Sequence, residues 1–215
     1  ALVYLFQWYA MNVFWQYLGL MCAIAYFGVN LSDPNYAKTD AFSDASGFAT
    51  GLMVVYYIAC TIVALFLARL ANKVGPKHVH TAALFLAAIC LYLLTHIGSP
   101  ENTTVLYLPM IGIGVAWASI VGIPYVMATE MIRKERRGVY MGVINMMIVI
   151  PQLLQTLTFG FIYKNLLGNH PVNALLFVAV FLVIAGLLIE WIDTDKDADP
   201  RVRAAAVATT ETAVA

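Results

Sequence analysis

Trp8, Asn12, Trp15 and Gln16 are spaced so that all four fall on one face of a helix turning about 100° per residue. Gln7 and Tyr17 belong to the same segment. An aromatic plane beside amide donors and acceptors suits a ring with an apolar C–H face and a rim of hydroxyls, as in a sugar. The chemistry would be stacking and hydrogen bonding, with no covalent step. The same residues also fit an interfacial aromatic belt with helix–helix hydrogen bonds. The depth to which the polar groups extend favours the sugar reading. Tyr56 and Tyr57 lie midway along a second apolar stretch, where either packing or a cavity would suit them. Trp117 stands seven residues before Pro124. Asn145, Gln152 and Gln155 follow at spacings of 7 and 3, along one helical stripe. Pro151 leaves the Met147 carbonyl without a donor, which favours a kink just before Gln152 and hence a gating helix. The candidate recognition set is Trp8, Asn12, Trp15, Tyr56, Trp117, Asn145 and Gln152.

The elements that position these residues belong in a bilayer. The chain has 215 residues, 62% of them hydrophobic and 11% charged, and its mean hydropathy is +0.81. Soluble domains carry about 25% charged residues. A spanning helix needs roughly 20 mostly apolar residues. Six stretches qualify, at 2–28, 47–70, 80–98, 103–132, 138–163 and 172–192, which predicts an all-α membrane protein of six transmembrane helices. Residues 193–215 turn polar and then Ala/Thr-rich, and predict a disordered cytoplasmic tail. Ala1 opens directly into an apolar run without the basic region of a signal peptide, which reads as a chain cut from a longer one.

Charge gives the orientation. Arg69, Lys73 and Lys77 flank the second connection, Arg133, Lys134, Arg136 and Arg137 fill the fourth, and Lys196, Arg201 and Arg203 follow the last segment. Only Lys38 and Lys164, of 12 basic residues, fall on the other face. The positive-inside rule therefore predicts a cytoplasmic C-terminus. The formal net charge is zero, which gives no reason to expect nucleic acid as a partner.

Other reactive residue types carry less. Cys22, Cys60 and Cys90 all lie in apolar stretches and read as small hydrophobes, not as a disulfide set or metal site. His80 and His96 mark the two ends of the third segment and read as interfacial, as do His78 and His170. Glu130 and Glu190 approach helix ends and are expected to pair with cations or reach water. No carboxylate lies deep in a span, so a coupling acid is expected outside this chain. No nucleophile–base pair, phosphate-cradling loop or cofactor motif is present, and the sequence does not read as an enzyme.

The stretch from Leu70 to Lys77, LANKVGPK, resembles the cytoplasmic signature of the major facilitator superfamily. Lys73, Gly75 and Lys77 match that signature, while Asn72 replaces its acidic residue and Pro76 an arginine. The resemblance assigns Asn72, Lys73, Gly75 and Lys77 to a gating loop. The pattern of Trp117, Ala118, Pro124 and Tyr125, and the run from Gly138 to Gln152, resemble the tenth and eleventh helices of sucrose and maltose proton symporters. These belong to the glycoside–pentoside–hexuronide cation symporter group. The aspartates of plant sucrose carriers are missing from the first segment and their arginine from the stretch 47–51, so plant-type substrate coordination is not carried over.

The resemblance implies helices 7–12 of a transporter, spanning residues 1–192 as its C-terminal half. It implies symport of an α-glucoside disaccharide with a proton or sodium ion by alternating access, in a plasma membrane or bacterial inner membrane. Its partners would be the sugar, the coupling ion, the lipid bilayer and a missing N-terminal six-helix half. The alternative is a non-transporting sensor or assembly module built on the same fold.

Overall fold

The computed structural model describes residues 2–131 and 137–192. The basic connection at 132–136 and the tail at 193–215 lie outside the described residues. Six α-helices follow in order: α1 (Leu2–Ala25), α2 (Asp40–Val74), α3 (Pro76–His96), α4 (Tyr107–Met131), α5 (Arg137–Asn165) and α6 (Pro171–Ile189). Single 3-10 turns at Tyr36–Lys38 and Thr104–Leu106 precede α2 and α4. No strand occurs among the described residues, so the fold is the all-α one expected.

Five of these helices, α2 to α6, are long and apolar enough to cross a membrane. At 24 residues α1 has the length, but its amides and indoles dilute its apolar character. Its place in the bundle accounts for that composition. α1 packs against α6, α5 and α2, while α4 joins α2 to α3 and α3 returns to α6. Met11, Val13, Phe14, Met21 and Cys22 of α1 are almost wholly buried. Tyr9, Asn12 and Gln16 of α1 thereby find hydrogen-bond partners on α5 in place of water.

The helix boundaries differ from the apolar lengths. α2 starts at Asp40, where the Thr39 hydroxyl oxygen accepts from the Phe42 N–H at 3.2 Å. It runs 35 residues, about 50 Å at 1.5 Å per residue, well beyond the roughly 30 Å hydrocarbon layer. The connection expected at 71–79 shrinks to Gly75. Gly75 takes φ +98°, and Pro76 opens α3 at its first position. Hydrophobicity reports how much of a helix lies in lipid, whereas a helix stops where its backbone caps. Here a left-handed glycine followed by proline supplies both signals.

Two close approaches lock α4 in place. A Cβ at Gly114 would overlap the Tyr56 carbonyl, and one at Gly112 would overlap Cys90 Sγ. Small residues allow this backbone proximity between membrane helices. At the other end of α1, the Tyr26 hydroxyl donates to the Leu94 carbonyl at 2.7 Å and ties the helix exit to α3.

Candidate functional site

The α2–α4 crossing at Gly114 brings Tyr56 beside Trp117, and the face of α1 brings Trp8 and Trp15 to the same place. Ring centroids lie 5.4 Å apart for Trp8 and Trp117 and 5.0 Å for Trp15 and Trp117. The Trp8–Trp15 and Tyr56–Trp117 separations are 6.5 and 6.3 Å. The first two contacts are edge-to-face, the arrangement the aromatic quadrupole favours. Four of the seven recognition candidates, from three helices, thus form one aromatic cluster. Tyr56 is wholly buried and Trp8 is 8% exposed.

The cluster carries hydrogen-bonding groups that nothing uses. The Trp8 and Trp15 indole N–H groups and the Tyr56 hydroxyl are buried without a partner. The Tyr56 hydroxyl lies near Trp15 but falls short of hydrogen-bond geometry with it. Buried polar groups are rarely left unpaired, because each forfeits its bonds to water. Three such groups around the clustered rings are what a polyhydroxylated ligand can complete.

Asn12 lies on the same helix and reaches α5. Its Nδ2 donates to Gln155 Oε1. Gln16 and Gln155 exchange a reciprocal pair of amide hydrogen bonds, each 3.2 Å. Gln155 is 1% exposed, while Asn12 is half-buried and Gln16 exposed, so this amide knot is a partly buried strut between α1 and α5. A second tie joins Tyr9, whose hydroxyl meets Thr158 Oγ1 at 2.8 Å. Asn145 and Gln152 lie elsewhere. Asn145 Oδ1 accepts from the Tyr125 hydroxyl at 2.8 Å, linking α5 to α4 on an exposed face. The Gln152 side chain is half-buried and has no hydrogen-bond partner among the described residues. α5 continues as a helix through Pro151.

The loop candidates take up helix ends. Asn72 and Lys73 are exposed on the last turn of α2. Lys77, in the first turn of α3, bonds the final carbonyls of the α6 end, donating to Glu190 O at 2.6 Å and Ile192 O at 3.1 Å. A cation is favoured at a helix C-terminus, where carbonyls lack intrahelical partners. Lys77 also pairs with the Glu190 carboxylate at 3.4 Å. The Thr81 hydroxyl donates to Glu190 Oε1 at 2.7 Å, and this bond, followed by the Lys77 charge, holds the carboxyl below the usual glutamate range.

His80 departs from the sequence expectation. It is not interfacial but fully buried. Its Nδ1 lies 3.0 Å from Ser119 Oγ on α4, and its Nε2 lies 3.1 Å from Gln7 Oε1 on α1. The Gln7 Nε2 has no partner. Position near the start of an apolar stretch suggested exposure, but α1 and α4 cover this turn of α3. The chain offered one signal for it in Gln7, a polar residue at similar depth beside the aromatic face.

No group of three or more potential metal ligands occurs among the described residues. An open apolar depression of about 380 Å³ lies on α2 along Val54, Tyr57, Ile58, Thr61 and Ile62.

Comparison with curated proteins and with solved structures gives no match. A family model, described as the Major Facilitator Superfamily, matches residues 3–156, which covers α1 to α4 and most of α5. The members of that family are generally transporters, and the apolar helices make this an integral membrane protein. On a match spanning well over half its length, the chain belongs to the Major Facilitator Superfamily.

Proposed function

We propose that the chain is the C-terminal six-helix half of a sugar–cation symporter of the glycoside–pentoside–hexuronide group, moving an α-glucoside such as sucrose or maltose with a proton. The observation that carries this reading is the cluster of Trp8, Trp15, Trp117 and Tyr56, with three buried donors left unpaired. The clustered rings would receive the apolar face of a pyranose, and the free indole N–H and phenol groups its hydroxyls. Asn12, held by Gln155, borders the cluster on α1. Asn145 and Gln152 would meet the sugar or the facing half as α5 moves during alternating access.

The outer faces of the bundle support a second half. Tyr57, Ile58 and Phe66 on α2, and Leu153, Leu157 and Phe161 on α5, are exposed apolar side chains. They require lipid or a partner surface. The half-buried Gln152 amide requires a polar partner there, which lipid cannot supply. By the basic asymmetry the C-terminus and the Gly75 turn face the cytoplasm, in a plasma membrane or bacterial inner membrane. An impermeant thiol reagent outside intact cells should label Asp40→Cys and spare Glu135→Cys; the opposite pattern reverses the orientation.

Sugar recognition is tested by intrinsic fluorescence of the purified complete transporter. Sucrose or maltose should change the tryptophan emission saturably, and Trp117→Phe should remove most of that change. A saturable response that Trp117→Phe leaves intact places the sugar elsewhere. Absence of any response to both sugars contradicts the α-glucoside reading and agrees with a non-transporting module.

A further inference from the structure

His80 is an ionisable side chain enclosed within the bundle, and such residues in membrane segments mark ion pathways and proton relays. What sets it apart from a structural histidine is the pair of groups that hold it. Gln7 Oε1 can only accept, so the bond at 3.1 Å places a proton on His80 Nε2. Ser119 Oγ can donate or accept, and it lies 3.0 Å from Nδ1. In the neutral ring the serine hydroxyl donates to Nδ1. In the imidazolium Nδ1–H donates to Oγ, and the hydroxyl proton turns away, for which a helical serine has the carbonyl four residues earlier, that of Val115. Both charge states therefore keep both hydrogen bonds, and a proton can enter or leave without breaking the α1–α3–α4 contact.

No fixed charge faces the ring. On α3 and α6, Lys77 and Glu190 pair with each other. His78 on α3 and Arg69 and Lys73 on α2 are exposed. On α1 the titratable groups at this end are Tyr4 and Tyr9, and on α4 Tyr125, all phenols. The side chain of Glu130 on α4 lies outside the described residues. Neither partner of His80 is charged, and no fixed counter-ion faces the ring. The free Gln7 Nε2 leaves the proton site one residue from Trp8 and the aromatic cluster.

We infer that His80, cradled by Gln7 and Ser119, is a proton-binding site through which this half takes part in coupling. The inference rests on the proposed symport function and adds a group in this chain to the coupling acid expected outside it.

Two measurements on the complete transporter separate the inference from that function. In proteoliposomes, equilibrium exchange of sucrose or maltose without a pH gradient reports transport alone, while accumulation driven by an acid exterior reports coupling. His80→Gln and His80→Asn should exchange within about threefold of wild type, yet lose pH-driven accumulation by at least about tenfold. Accumulation at the wild-type level in both variants overturns the coupling role. A wild-type protein that neither exchanges nor accumulates either sugar defeats the transport reading instead. Imidazole ¹⁵N resonances of the wild-type protein then decide the site independently of any variant's folding. The signal absent from His80→Gln should titrate between about pH 4 and 8, with a midpoint displaced by Ser119→Ala. A His80 signal that stays in one protonation state across that range overturns the inference.

Discussion

Replacing Tyr56 by phenylalanine separates recognition from packing, because the two consequences have opposite signs. The ring of Tyr56 is wholly buried and touches Phe14, Tyr57 and Trp117 at centroid distances of 6.0, 4.9 and 6.3 Å. Phenylalanine keeps all three contacts and opens no large cavity. It removes only a hydroxyl that is buried and unpaired. Leaving such a group unsatisfied costs about 1–3 kcal/mol, so the ligand-free protein should be stabilised on losing it. A gain of about 1 kcal/mol raises the melting temperature by about 2–4 °C for a chain of this size. If the hydroxyl bonds to the sugar, the bound state loses a bond and leaves a sugar hydroxyl unpaired. A penalty of about 1–3 kcal/mol then weakens binding by about 5- to 150-fold. The assay is thermal unfolding in detergent without and with saturating sucrose or maltose, together with a fluorescence-derived Kd. A stabilised variant with weakened binding is expected. Unchanged Kd beside a raised melting temperature would show that the Tyr56 hydroxyl never meets the sugar and refute its place in the site.

Other perturbations test the framework around the cluster. Asn12→Leu and Gln155→Leu each strand an amide partner, and a double-mutant cycle on thermal stability should return a coupling of about 0.5–3 kcal/mol; strict additivity would mean that the α1–α5 strut is not formed. Gly114→Ala forces the Tyr56 carbonyl away and should destabilise by about 1–3 kcal/mol, whereas Gly142→Ala, whose added methyl meets nothing within 4 Å, should be near neutral. Equal effects at the two glycines would deny the close α2–α4 crossing. The Glu190 carboxyl is held below its ordinary range by Thr81 and Lys77. Its stabilising contribution is therefore complete above the ordinary glutamate value of about 4.3 and fades as pH falls through the lowered one. Melting curves from pH 7 downward should show a loss below about pH 4 that is smaller in Glu190→Gln; identical acid profiles would remove Glu190 from the account.

Hydrophobic length made α2 to α6 legible, since lipid demands apolar length whatever the partner helices do, whereas α1 carries amides and indoles directed into the bundle. Helix ends were less legible. Asn72 and Lys73 read as loop because they are polar, yet they complete the last turn of α2 and the chain turns only at Gly75. Trp8, Asn12, Trp15 and Gln16 could be placed on one face from spacing alone, since all belong to one helix. That Trp117 and Tyr56 join the two indoles depends on the α2–α4 crossing, whose trace in the sequence was Gly114. Gln155 was visible on the amide stripe of α5, but the stripe is broad, and spacing could not say that Gln155 faces α1 while Gln152 stays half-exposed. His80 was misjudged for the same reason. Its depth is set by Gln7 and Ser119, 73 and 39 residues away in the chain.

Uptake of labelled sucrose and maltose tests the central claim most directly, comparing cells that express this chain alone, the chain together with the proposed N-terminal half, and neither. The account predicts uptake above background only when both halves are present, and its dependence on an inward proton gradient. Uptake by the chain alone would point to a self-sufficient assembly, and background uptake of both sugars with both halves in the membrane would contradict sugar symport.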